Sequence, residues 1–145
     1  MKLAMLLPLA SIFAVPSAAA QGPVLELNTG IHVIHAEVAY TNAVRMQGLM
    51  HREHLGPNQG MLFVFPDPGE QCMWMKNTLI PLSVAFIDDK GAIINVEDMA
   101  PQTLDSHCAR APARYALEME LGWFKKHGAD KGSRIAGIER APAAQ

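Results

Sequence analysis

The chain has 145 residues, with 12 basic and 14 acidic side chains, a formal net charge of −2 and two cysteines. That length suits one compact domain. The mild acidity excludes the electrostatic footprint that nucleic acid or an anionic membrane surface demands, and the longest basic run, Lys125-Lys126, makes no patch.

Met1–Ala20 has the pattern of an export signal: Lys2, an uncharged apolar run from Leu3 to Val15, then the small residues Ala18-Ala19-Ala20 for peptidase cleavage. The run is shorter than the ~20 residues that cross a bilayer. No cysteine follows it to carry a lipid. The expected organisation is therefore a signal peptide over 1–20, one β domain over 21–140 and a disordered tail over 141–145. The mature protein is expected to be periplasmic or secreted, without membrane insertion.

Val24–Leu27 and Ile31–Ala39 read as a hairpin across the turn cluster Asn28-Thr29-Gly30. Thr41 or Asn42 suits a helix start, and Ala43, Met46 and Met50 recur at helical spacing. Gly56-Pro57-Asn58 ends that element. Three apolar strands are expected next, Met61–Phe65, Gln71–Met75 and Leu82–Ile87, the last apolar on both faces except for Ser83. Asp88-Asp89-Lys90-Gly91 turns the chain into Ala92–Val96. Gln102–Pro112 reads as a long loop holding Cys108. A strand over Arg114–Glu120, a helical turn over Gly122–Gly128 and a last strand over Gly132–Ile138 complete the chain. About eight short strands with one or two short helices, separated by turns, predict a mainly β fold, a small antiparallel sandwich or partly closed barrel.

Cys72 and Cys108 pair most simply as a disulfide in an exported chain; a reactive thiol and metal ligation are the alternatives, and the absence of C-x-x-C speaks against a thioredoxin-like role. The densest chemical cluster is Cys72-Met73-Trp74-Met75-Lys76-Asn77-Thr78. Core packing accounts for its methionines and for Trp74, but not for an ammonium, an amide and a hydroxyl at the end of a buried strand. An interior ammonium left unpaired costs several kcal/mol, so Lys76 must reach water, find a carboxylate or hold an anion. Glu118, in an otherwise apolar strand, is the best carboxylate, and Arg45 on the helix is positioned to join it. Two arrangements follow: a structural ion pair, or a pocket in which Arg45, Trp74, Lys76, Asn77, Thr78 and Glu118 hold a small polar or anionic ligand.

A second reading uses soft ligands. Met50, His51, His54, Met73 and Met75, with Met46, could bind Cu(I) in an oxidising compartment, although methionines at such spacings are more often core filler. A third is a protein-interaction module of the cell envelope. No catalytic motif stands out: there is no G-x-S-x-G, no H-E-x-x-H and no glycine-rich phosphate loop, and the neighbours Asp105-Ser106-His107 cannot converge as a triad. No catalytic residue and no cofactor is expected.

Arg45-x-x-Gly48-Leu49-Met50-x-Arg52, Gly60-Met61-Leu62-Phe63-x-Phe65 and Trp74-Met75-Lys76-Asn77-Thr78-x-Ile80-Pro81-Leu82 together resemble the domain-of-unknown-function 192 family, with Phe86-Ile87-Asp88, Gly91, Tyr115-x-Leu117-Glu118, Gly122 and Gly132 continuing the match. The resemblance covers about Ile34 to Ile138. It implies a small, mainly β domain of jelly-roll or barrel type, often exported from bacteria or archaea, with no established activity. Met73 stands where an aromatic residue commonly precedes the tryptophan, and Ser83 where the family often has Asp. The Cys72/Cys108 pair is not a general family feature.

Overall fold

A computed structural model describes residues 22–145; the expected signal segment 1–20 lies outside them. Eight strands and two short helices follow in the order β1 Val24–Thr29, β2 His32–Ala39, α1 Asn42–Gln47, β3 Gln59–Gly69, β4 Cys72–Met73, β5 Leu82–Ile87, β6 Ile93–Met99, β7 His107–Cys108, β8 Ala113–Glu120 and α2 Trp123–Lys126, and a 3-10 turn covers Ile138–Arg140. The fold is mainly β. Its principal sheet has six strands in the order β1-β2-β3-β8-β5-β6, and β4 and β7 form a two-stranded ribbon.

The β1–β2 hairpin is the one read from Asn28-Thr29-Gly30, with Gly30 at a positive φ of 56°. The all-antiparallel expectation fails at one joint: β2 and β3 pair in parallel, from His35↔Gln59 to Ala39↔Phe63. The reason is the connection. A parallel neighbour needs a long crossover, and the stretch holding α1 and the loop through Gly56-Pro57-Asn58 supplies one. Thr41 caps α1, its Oγ1 accepting from the Val44 amide at 3.3 Å. The helix is too short to build the stripe expected of Ala43, Met46 and Met50. None of its residues is buried, Met46 is exposed, and the buried apolar anchor is Leu49, just beyond the helix.

Apolar residues line both faces of the sheet. One layer gathers Leu27, Ile34, Ala36, Val38, Leu62, Ala85, Leu117 and Met119 beneath Trp123, Phe124, Ile135 and Ile138. The other gathers Ala39, Met61, Phe63, Leu82, Val84, Phe86 and Ala116 beneath Leu49 and Met75. Alternation along β8 explains the division: Leu117 and Met119 point to the first layer, while Ala116 and Glu118 point to the second.

Three other expectations change. The strand over Gln71–Met75 shrinks to the two residues of β4, since the Met75 amide leaves the ladder to bond the Thr103 carbonyl at 3.1 Å. The loop over Gln102–Pro112 contains the complementary strand β7, and Cys72 pairs with Cys108 directly across that ribbon in a disulfide. Gly132–Ile138 is no strand. It makes isolated bridges, Ala92↔Arg134 beside one edge strand and Asn28↔Ala136 on the other, so a single segment ties together the two edges of a sheet that does not close on itself. The residues expected to form a tail also make contacts: Ala141 and Ala144 pack on the first layer, and the Gln145 amide donates to the Tyr40 carbonyl at 2.7 Å. Among the described residues, no helix is long and apolar enough to cross a membrane.

Candidate functional site

The second apolar layer holds one group that does not belong in it. Glu118 sits on β8 between Met61 of β3 and Val84 of β5, and is only 3 % exposed. Sequence alternation places it there, since the position is fixed by its neighbours Leu117 and Met119 facing the other layer. Among the described residues, no salt bridge reaches its carboxyl. Burial alone pushes its pKa from the usual carboxyl range up to about 8. At neutral pH Glu118 therefore carries its proton.

Above Glu118 lies a pit of about 30 Å³, space for about two water molecules, lined by Arg45, Gly48, Met50, Phe63, Met73, Trp74, Lys76 and Thr78 among others. It adjoins a groove of about 250 Å³ that shares Arg45, Met46, Phe63, Met73 and Trp74 and continues past Asn42, Phe65 and Cys72. The disulfide thus forms part of the wall. Five of the six residues singled out in the sequence, Arg45, Trp74, Lys76, Thr78 and Glu118, line this one concavity, although they come from α1, the turn after β4 and β8. Asn77 does not.

Their individual roles differ from the expectation. Lys76 is exposed, not enclosed, and its Nζ stands 5.3 Å from the centroid of the Trp74 ring, itself 45 % exposed. Of the two arrangements open in the sequence, the Lys76–Glu118 ion pair does not form, because the turn carries the ammonium outward to water and leaves the carboxyl below it. Arg45 spends its guanidinium on the backbone: Nη1 donates to the carbonyls of Tyr40 at 2.7 Å and Val64 at 3.0 Å, and Nη2 to the main-chain oxygen of Gln145 at 3.0 Å. Asn77 is exposed and takes a positive φ of 53°, which shapes the turn; its carbonyl accepts from the His51 amide at 2.9 Å. Thr78 is buried, and its Oγ1 donates to the Lys76 carbonyl at 3.2 Å, holding that turn closed.

The soft-ligand set is dispersed. Met50 and Met73 line the pit, but Met75 is fully buried in the core, and His51 and His54 are exposed outside it. Glu70 lies near Cys72 and Cys108, whose sulfurs are joined to each other.

Two features escaped the sequence. A larger cavity of about 570 Å³ lies beside β6, with Ser83, Asn95, Asp98, Arg110, Lys125 and Lys131 in its lining. Ser83, a lone hydroxyl in an apolar strand, was its only signal. Its buried polar groups are already partnered: Ser83 Oγ donates to Asp98 at 2.5 Å and accepts from the Gly122 amide, while Asn95 bonds Glu97, the Cys108 carbonyl and the Arg110 amide. This cavity is roomier than the pit, but chemistry favours the pit, whose lining holds the Glu118 carboxyl outside any ion pair among the described residues. His127 also stacks on Trp123 with ring centroids 4.2 Å apart and meets His32 edge-on at 4.6 Å; distance along the chain hid that cluster.

The family model DUF192, described as uncharacterized ACR, matches residues 24–137. The chain belongs to the DUF192 family. No curated protein matches the sequence. Among solved structures, a Sinorhizobium meliloti protein described as a candidate transcription regulator is 34 % identical, with a TM-score of 0.73 over 82 % of this chain and 95 % of its own. A protein of unknown function from Novosphingobium aromaticivorans is 28 % identical, with a TM-score of 0.74 over 87 % of this chain and 99 % of its own. The residues of the pit fall within the range that the family model matches.

Proposed function

We propose that this DUF192 protein is a binding module for a small polar or anionic ligand, held in the groove between α1 and the Trp74–Thr78 turn. The observation that carries the reading is the convergence of Arg45, Trp74, Lys76 and Glu118 on one concavity. Trp74 offers an exposed aromatic face, Lys76 a free-standing ammonium, and the groove an apolar wall with few polar groups, the composition of a small-molecule site. Arg45 contributes by fixing α1, Val64 and the C-terminal residue in place, so the wall is set before any ligand arrives.

Export to an oxidising compartment belongs to the same reading. The apolar run after Lys2 and the cross-strand disulfide support it. The description of the S. meliloti relative is not carried over, because a formal net charge of −2 gives no support to a nucleic-acid surface.

Thermal melting against a library of small metabolites tests the proposal. At least one compound is expected to raise the melting temperature of the wild type and to lose that effect in Lys76→Ala. If every compound shifts the two proteins equally, the groove is not a binding site.

A further inference from the structure

The groove reading leaves open which chemical class it accepts, and Glu118 decides between them. We infer that Glu118 is the specificity-determining residue: from the lining of the pit its carboxyl group hydrogen-bonds the carboxylate of a small ligand, while Lys76 offsets the carboxylate's charge and the groove along Trp74 takes the hydrocarbon body. This inference rests on the groove being a binding site.

The geometry narrows the choice. The pit of about 30 Å³ that Glu118 lines suits a small ligand end such as a carboxylate. The adjoining 250 Å³ is walled mostly by Met46, Phe63, Phe65, Met73 and Trp74, with Asn42 and Arg45 at its polar side, a lining that suits an alkyl or aromatic body. The other charged groups lining the pit are Arg45 from α1 and Lys76 from the turn, both cationic, which disfavours an amine. The strands flanking Glu118 present Met61 and Val84, which do not titrate. The Glu118 carboxyl lines the pit and forms no ion pair among the described residues. A ligand carboxylate would accept from it, and the resulting O–H···O⁻ bond belongs to the strong, charge-assisted kind.

The protonation state makes the idea testable. Glu118, raised to about 8, bears its proton at neutral pH, where a ligand carboxylate has lost its own. Above that pH two carboxylates would face each other across the pit, and affinity must fall.

The experiment titrates sodium phenylacetate and sodium butyrate into the full chain by calorimetry, in steps from about pH 6 to about pH 9.5, with phenethylamine, glucose and inorganic phosphate as the other arms. The expected result is carboxylate binding that weakens by up to about tenfold per pH unit above about 8. In Glu118→Gln, whose amide still donates but does not titrate, the carboxylates still bind and the fall with pH disappears. Carboxylate binding that is flat with pH in the wild type, or that falls equally in the variant, overturns the role of Glu118 while the binding function stands. So does binding of the amine, glucose or phosphate alone. Should Glu118→Gln fail to fold, the wild-type profile decides by itself: a fall supports the inference and a flat profile ends it. A groove that binds none of these probes, and no metabolite in the melting screen, removes the binding function together with the inference.

Discussion

Lys76 holds its Nζ 5.3 Å from the ring centroid of Trp74 and is exposed, with no carboxylate in partnership among the described residues. An exposed cation–π pair of this kind contributes about 0.5–1 kcal/mol. Lys76→Ala is therefore expected to change unfolding free energy by less than about 1 kcal/mol, while removing any ligand-induced melting shift. Denaturant unfolding of the free protein, beside melting with the bound compound, checks both halves. A loss of several kcal/mol in the free protein would make Lys76 a structural residue.

Arg45 shares the same groove and should behave in the opposite way. Its guanidinium bonds three main-chain oxygens, on the residues Tyr40, Val64 and Gln145, which no single ammonium can reach together. Arg45→Lys is expected to cost roughly 1–3 kcal/mol of stability. Urea unfolding measures it, and hydrogen exchange at the Gln145 amide, bonded to the Tyr40 carbonyl, should speed up as the C-terminus loosens.

Glu118 gives the fold a pH dependence of definite sign. Its pKa rises from 4.5 in the open chain to about 8 in the folded one. Between those values the folded state binds more protons than the unfolded state, so this group makes stability fall as pH rises, and the whole loss is present above about 8. The difference in melting temperature between wild type and Glu118→Gln, followed across that range, isolates the contribution, since the remaining groups titrate in both. The wild type should lose ground to the variant steadily with rising pH. A constant difference would mean that Glu118 ionises as an ordinary surface carboxyl.

Gly60 is held by the same strand. It pairs with Met119 across β3 and β8, and a Cβ at that position would strike the Glu118 carbonyl oxygen and the Met119 sulfur. A backbone oxygen in a central strand cannot step aside. Gly60→Ala should destabilise the protein by roughly 1–3 kcal/mol, measurable by chemical denaturation.

The Cys72–Cys108 disulfide closes a loop with a sequence separation of 36 and anchors the β4–β7 ribbon that walls the groove. Replacing both cysteines by serine should lower stability by about 3–4 kcal/mol on the chain-entropy account. Thiol titration of the denatured, unreduced wild type should find none free among the described residues. Loosening of the ribbon should also weaken any ligand held against Trp74.

Much of this protein is legible along the chain because local chemistry fixes it. The β1–β2 hairpin follows from a turn that needs a positive φ, the start of α1 from a threonine able to cap it, and β5 from six consecutive residues that have to be buried. Two cysteines with no C-x-x-C spacing pointed to one bridge, and the bridge is there. The cluster around Trp74 and the isolated acid at Glu118 were visible as residue types that packing alone does not require.

What the chain could not show is which partners those groups would find. A strand pattern reports that a face is buried, but not whether its neighbour runs parallel, as β3 runs beside β2, because that depends on the path of the whole crossover. Lys76 and Glu118 have the charges of an ion pair, one of the two arrangements their residue types allow. Only the turn geometry, with Asn77 at positive φ and Thr78 closing back on Lys76, sends the ammonium out to solvent and leaves the carboxyl beneath it unpaired. Sequence sets the chemistry each position carries; the three-dimensional path sets the distances between positions, and electrostatic and hydrogen-bond partnership depends on distance.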